Sequence, residues 1–300
     1  MSNSGFVLLD KIAGETSFKA LFPLKRVFST KRVGHAGTLD LRASGLIIAA
    51  TGRCTRLLPF IEAKDKCYSF RLHLGYETDT LEWDGEVVEQ GEALAITRED
   101  VERVLPQFTG DIEQVPPKYC AVKINGVRAS DLMERGRNIE LKPRKIHIGE
   151  LKVIGEGEVT EGCSGKEFAT FDLICECSKG TYIRALGRDI GRALGTYACV
   201  SQIRRHRIGN VTLDKAVRGD ALTRENLLPV DAVLDFPVVR LTDEQVAVIR
   251  QGNWLPWKEK VEGVGPEGHV FAANMQGEVL SLCFYEPGRI KPKFYLGEDD

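Results

Sequence analysis

A residue in this chain whose setting suits covalent chemistry is an aspartate in a glycine-bracketed segment. Asp40 closes the run Gly34-His35-Ala36-Gly37-Thr38-Leu39-Asp40, and Gly45 follows shortly after. Glycines on both sides permit tight turns and the close approach of another backbone. An ordinary aspartate, with a pKa of about 3.9, is ionised at neutral pH and can serve as nucleophile or base. Taken alone, a loop aspartate is more often a turn or helix cap. Arg184 stands in the first turn of an expected helix, after Cys177-Ser178-Lys179-Gly180-Thr181-Tyr182-Ile183. A guanidinium placed beside Asp40 would favour its ionised form and orient it. Without further context, a structural ion pair accounts for the same two residues.

Other segments add polar and aromatic groups. Lys66-Cys67-Tyr68 opens a strand-like run and offers an aromatic with a polar tip, suited either to a core or to stacking on a base. Gln114-Val115-Pro116-Pro117 precedes Tyr119 and a short Ala121-Val122-Lys123 strand, and Ile203-Arg204-Arg205 lies about twenty residues after Arg184. The net charge of -2 does not announce a nucleic-acid ligand, but two local clusters are basic: Lys142, Arg144, Lys145 and His147, and Arg204 through Arg207. A solvated face explains either cluster alone.

Several chemistries are set aside. Gly263-Val264-Gly265-Pro266-Glu267-Gly268 has the dinucleotide-binding spacing, but Pro266 interrupts it and a strand rather than a helix should follow. Cysteines at 54, 67, 120, 163, 175, 177, 199 and 283 show no metal-ligand spacing and read as reduced, buried thiols. No stretch approaches the roughly 20 apolar residues of a membrane span, and no signal-like segment opens the chain. A cytoplasmic protein without metal or cofactor, monomeric by default, is expected.

These residues must be positioned by the elements around them. Residues 5–10 and 45–50 read as apolar strands, and 68–74 alternate as a strand. A helix from Thr16 or Ser17 should be divided by Pro23. Residues 83–89 suggest a strand, 98–108 a helix with Val101, Val104 and Leu105 inward, and 121–124 a strand ending at the Asn125-Gly126 turn. Residues 129–135 read as helix, 145–155 and 167–177 as strands, 181–195 as helix and 199–213 as strand. Gly187, Gly191 and Gly195 recur every fourth residue on one face of that helix, which implies close packing. After a boundary near residues 229–237, short strands separated by Gly and Pro suggest a small β-rich domain. Strands and helices alternate without a βαβ period, so the expected class is α+β, with a mixed, largely antiparallel sheet and flanking helices.

Taken in order, these motifs resemble the TruB-type tRNA pseudouridine synthases over almost the full length. The resemblance runs from Val7-Leu8-Leu9-Asp10-Lys11 through Gly-His-Ala-Gly-Thr-Leu-Asp, Gln-Val-Pro-Pro and Cys-Ser-Lys-Gly-Thr-Tyr-Ile-Arg to Leu228-Pro229-Val230-Asp231. It implies the pseudouridine synthase fold with a central cleft in residues 1–232, and a PUA-like RNA-binding domain in 233–300. It implies isomerisation of the T-loop uridine of tRNA (position 55) by base flipping. Asp40 matches the essential aspartate, Arg184 the arginine paired with it, and Tyr68 the tyrosine that stacks on the target base. His35 matches the histidine that replaces the flipped base, and Ile203 an apolar residue of the pocket. Tyr182, Lys66, Lys123, Arg204 and Arg205 are further candidates for contact with the T-arm, and Arg289, Lys291 and Lys293 for contact through the C-terminal part. The family places Pro after the catalytic aspartate; Leu41 stands here, so the loop should be less pre-set. Two competing readings are a non-catalytic RNA-binding protein on the same scaffold, and an unrelated hydrolase or lyase pairing Asp40 with a histidine.

Overall fold

A computed structural model describes residues 3–161 and 167–297. The chain enters as β1 (Gly5–Lys11), passes a 3-10 turn and α1 (Phe22–Val27), and returns as β2 (Val33–Ala36) and β3 (Ser44–Thr51). Then come α2 (Leu58–Glu62), β4 (Lys66–Leu74), the small hairpin β5 (Tyr76–Thr78) with β6 (Val87–Gln90), α3 (Arg98–Val104) and β7 (Gly110–Gln114). A two-residue-per-arm hairpin, β8 (Lys123–Ile124) and β9 (Val127–Arg128), leads into α4 (Ala129–Glu134). The long β10 (Arg144–Glu161) and β11 (Glu167–Cys177), α5 (Ile183–Ala193), β12 (Ala198–Ile208) and β13 (Val211–Thr212) follow. The last part holds β14 (Val238–Arg240), α6 (Asp243–Arg250), β15 (Leu255–Trp257), β16 (His269–Ala273), β17 (Val279–Glu286) and β18 (Gly288–Tyr295).

One nine-stranded sheet runs β1-β3-β12-β4-β11-β10-β7, with β2 on β3 and β13 on β12. Its pairings are antiparallel except β12 with β3. The expected mixed, largely antiparallel α+β class is therefore the observed one. A second sheet, β14-β16-β17-β18-β15, forms after residue 237.

The unbroken apolar runs in β1 and β3 follow from burial on both faces. Val7, Leu9, Ile47 and Ala49 face one core, with Leu24, Phe70, Leu72, Leu173 and Leu186. The alternate residues Phe6, Leu8, Leu46 and Ile48 face a second core that includes Phe271, Leu282 and Leu296 of the C-terminal sheet. The two sheets thus share apolar packing rather than merely being tethered.

Several local expectations need correction. Residues 83–86 are a turn, and only Val87–Gln90 form the strand expected over 83–89. Gly34 to Ala36 belong to β2, not to a loop, because they pair with Ile48–Ala50. The 121–124 strand is confined to Lys123 and Ile124, although Asn125 and Gly126 do make the turn, both with φ positive. Helix α6 was not anticipated, though Thr242 and Gln245 form a capping box that is legible in sequence. Seven cysteines are buried and free, and Cys163 lies outside the described residues. Residues 263–268 form turns before β16, as the sequence indicated.

The glycine repeat in α5 divides into two roles. A Cβ on Gly187 would lie 2.3 Å from Val200 Cγ1, and one on Gly191 would lie 2.8 Å from the Ala198 backbone nitrogen. These two glycines let α5 lie directly on β12. Gly195, at φ +75°, instead ends the helix and meets nothing within 4 Å. Gly191→Ala must push helix from strand; overpacking of about 1–3 kcal/mol exceeds the roughly 1 kcal/mol of helix propensity gained. The expected net effect, a loss of up to about 2 kcal/mol, is read from the urea midpoint of unfolding.

Candidate active site

The geometry of the site is set by one guanidinium. Arg184 Nε donates to Asp40 Oδ2 at 2.8 Å and Nη2 donates to Oδ1 at 3.0 Å, a two-point fork. Nη1 donates to the Thr80 carbonyl and Nη2 to the Tyr119 carbonyl, each at 2.9 Å. The Arg184 side chain is 6% exposed, whereas that of Asp40 is 42% exposed. The cation is locked in protein, and the carboxylate it aims is open to a substrate.

Arg184 reaches this place because α5 starts directly after its cap residue, Tyr182. Gln114 Nε2 donates to the Tyr182 carbonyl (3.1 Å), and the Tyr182 amide donates to Gln114 Oε1 (2.9 Å). The side chain of the Gln-Val-Pro-Pro segment thus substitutes for the missing helix-start partners.

Asp40 is held although no proline follows it to fix the backbone. The buried Lys11 ammonium donates to the carbonyls of Ala43 (2.6 Å), Ile12 (3.0 Å) and Leu41 (3.4 Å). Ser17 Oγ both accepts from the Leu39 amide and donates to its carbonyl. The Gly14 amide donates to the Leu41 carbonyl at 2.8 Å. Tertiary hydrogen bonds therefore supply the restraint that the sequence at position 41 lacks.

The other expected residues divide. Tyr68 sits on β4 against the core and is half-buried; burial raises its phenol pKa, and the Arg205 cation opposes that shift. His35 is half-buried on β2, with Nδ1 buried and without a hydrogen-bond partner. Burial, then Arg205, lowers its pKa, so the ring is neutral at pH 7. Tyr182, at the start of α5, is half-buried, and burial raises its pKa too. Ile203, 6% exposed, lines a cavity of about 230 Å³ with Ala43, Glu82, Trp83 and Val200.

The cations differ from expectation more. Lys66 is 5% exposed and donates to the carbonyls of Glu62 and Lys64, with burial lowering its pKa to about 8. Arg205 is 1% exposed and bonds the Leu46 and Gly37 carbonyls. Neither presents its charge to a surface ligand, because sequence shows a charge but not which way the strand turns it. Arg204 is half-buried and pairs with Asp10 at 2.8 Å. Lys123 is exposed on the β8–β9 hairpin. Arg289 and Lys291 lie over the Trp254 ring, while Lys293 is enclosed by Phe60, Phe284 and Phe294.

Glu82 was missed. Its Oε1 is buried without a partner, and burial raises its pKa, with Arg184 opposing and Asp40 reinforcing the shift. It is therefore a second carboxylate in the field of the Asp40–Arg184 pair. The only sequence signal was its position soon after Thr80, whose carbonyl holds Arg184. Among the described residues, no group of three or more His, Cys, Asp and Glu side chains could hold a metal ion. Nor is any helix among the described residues long and apolar enough to cross a membrane.

Residues 25–183 match the TruB family pseudouridylate synthase N-terminal domain. Over 96% of its length the chain is 37% identical to tRNA pseudouridine synthase B of Caulobacter sp., covering 94% of that protein. It is 38% identical to the protein of the same name from Bradyrhizobium diazoefficiens, covering 84% of it. Among solved structures, an H/ACA RNP bound to a substrate RNA containing 2'-deoxyuridine superposes with a TM-score of 0.71 at 19% identity, covering 99% of this chain and 86% of that one. A Cbf5-Nop10-Gar1 complex gives 0.67 at 23% identity, covering 99% and 84%. At those identities the structural matches establish a shared fold.

Glu82 gives a pH signature. Its folded pKa lies above the ordinary 4.5, so the native state carries the cost of a buried charge once pH exceeds the folded value. Below 4.5 the group is protonated in both states and that cost vanishes. Glu82→Gln should therefore melt higher than the parent at pH 7–8, with the difference shrinking as pH falls toward 4. Thermal melts across that range check the sign.

Proposed function

The chain belongs to the TruB family of pseudouridylate synthases, and on that premise we propose that it isomerises the T-loop uridine at position 55 of tRNA to pseudouridine, with Asp40 as its catalytic carboxylate. The observation that carries the reading is the two-point Arg184–Asp40 bond, which aims a half-exposed carboxylate while burying its counter-ion.

The reaction breaks the bond from uracil N1 to the ribose C1', turns the ring, and forms a bond from C5 to C1'. The C5 proton is lost and N1 gains one, so no atoms or electrons are exchanged with another molecule. The chemistry calls for no redox cofactor. An ionised carboxylate can attack the sugar or ring, or remove a sugar proton, and both routes need Asp40 charged and oriented. The base must first leave its stack, at a cost of a few kcal/mol. Tyr68 then stacks on the extruded uracil, Tyr182 and Ile203 close around it, and the neutral His35 ring fills the vacated place.

Phosphate contacts fall to the exposed or half-exposed cations: Lys123, Arg204, and the Lys142, Arg144 and Lys145 cluster. Residues 1–232 are read as the catalytic unit and 233–300 as a PUA-like RNA-binding unit, acting as a monomer in the cytoplasm. The alternative of an unrelated hydrolase loses its support, because Asp40 is bonded to arginine and not to histidine.

The test is Asp40→Asn with a T-arm transcript. Pseudouridine formation should drop by at least about 10⁴-fold, as expected for loss of an essential catalytic group, while the dissociation constant for RNA changes by less than about threefold. A variant as active as the parent would remove Asp40 from the chemistry. A parent that binds the RNA tightly but yields no product would favour the non-catalytic reading.

A further inference from the structure

Arg205 lies on β12 where that strand is flanked on both sides by parts of the site. Its backbone is in register with Gly45 of β3 on one side and Tyr68 of β4 on the other. Its guanidinium turns beneath the Asp40 loop. Nε donates to the Leu46 carbonyl at 2.7 Å and Nη2 to the Gly37 carbonyl at 3.0 Å. Those carbonyls stand at the two ends of the segment that carries Asp40.

The approach is close enough to exclude side chains. A Cβ on Gly45 would lie 2.3 Å from the Arg205 carbonyl oxygen, and one on Gly37 would lie 3.3 Å from Arg205 Nη1. Both glycines have positive φ, at +102° and +75°. The glycines that bracket Asp40 therefore receive the arginine as well as shape the turn.

Arg205 is a costly choice for mere packing. It is 1% exposed, and among the described residues its guanidinium bonds backbone carbonyls and no carboxylate. An unpaired buried charge is expensive, and an apolar side chain of similar volume fills a core at lower cost. Such departures concentrate where a protein must hold functional groups in place.

We propose that Arg205 is a positioning residue for the isomerisation: by clamping the Gly37 and Leu46 carbonyls from a strand in register with Tyr68, it fixes the distance between the Asp40 carboxylate and the stacking tyrosine. The proposal rests on the catalytic role given above to Asp40 and Tyr68. Arg205 touches neither substrate nor reacting atoms; it acts through the loop and through its side-chain contact with the Tyr68 phenol.

The experiment compares the full-length parent, Arg205→Met, Arg205→Lys and Arg71→Met. Arg71, on β4 and paired with Asp172, reports the loss of a partly buried arginine from the same sheet. T-arm RNA affinity and single-turnover pseudouridine formation are measured for each folded protein. Displacement of a reacting group by about 1 Å can cost about 10²-fold in rate. Arg205→Met should therefore react about 100-fold slower and bind RNA within about threefold of the parent. Arg205→Lys, with its single point charge, reaches the two carbonyls less well and should be about 10-fold slow. Arg71→Met should react at the parental rate. The inference is overturned if Arg205→Met keeps the parental rate, if rate and affinity fall in proportion, or if Arg71→Met is equally slow. Should Arg205→Met fail to fold, a folded Arg205→Lys at the parental rate overturns it. An inactive parent would defeat the proposed function itself, whereas an active parent with fast Arg205 variants defeats only this step.

Discussion

The fork between Arg184 and Asp40 joins residues 144 positions apart, and most of the fold around the site can be read as what that bond requires. A guanidinium has five donors in one plane, and a buried one must have them satisfied. Two go to Asp40, and the carbonyls of Thr80 and Tyr119 take others. The β5–β6 connection, the segment after Gln-Val-Pro-Pro and the start of α5 therefore have to converge on one point. The Gln114 clamp on Tyr182 and the close seating of α5 on β12 through Gly187 and Gly191 serve the same end. Moving α5 outward would draw Arg184 from its carbonyls and Leu186 and Ile190 from the core together.

The other half of the pair is restrained differently. Asp40 lies on a turn between β2 and β3 whose sequence lacks a ring to fix the backbone after it. Lys11 on β1, Ser17 in the turn that follows and Arg205 on β12 bond main-chain groups of that turn and its flanks. Restraint by local covalent geometry acts in the unfolded chain as well; restraint by tertiary hydrogen bonds exists only once the sheet has formed. The loop is thus ordered as a consequence of folding, and its rigidity is tied to the integrity of β1 and β12.

What could be read from sequence follows the same division. The apolar runs at 6–9 and 46–50 announced buried strands, because β-strands covered on both faces leave an unmistakable local record. Asp40 and Arg184 could be paired only by resemblance, since no local pattern spans so long a separation. The acceptors at Thr80 and Tyr119 left no record, because a backbone carbonyl is common to every residue type. Glu82 was passed over for a related reason: its significance lies in being buried near Arg184, which position in the chain does not reveal. Lys66 and Arg205 were misread in the opposite direction. Each looked like a surface cation, and each is turned inward onto carbonyls. Helix α6 is a different failure, for its Thr242–Gln245 capping box stands in the sequence, in a region read only for short strands between Gly and Pro.

The inward cations also bear on how a chain of net charge -2 can hold a polyanion. Lys11, Lys66, Arg184 and Arg205 are buried, so they lend little to the long-range field that draws a nucleic acid from solution. Part of the exposed basic surface is already compensated: Arg204 by Asp10, Arg289 by Glu286. On the reading proposed above, phosphate contacts then fall to exposed cations such as Lys123, Lys142, Arg144 and Lys145, alongside recognition of shape. A buried charge and a surface charge of the same sign serve different ends. The buried Arg184 holds the Asp40 carboxylate in place, whereas exposed cations are the ones available to a phosphate backbone.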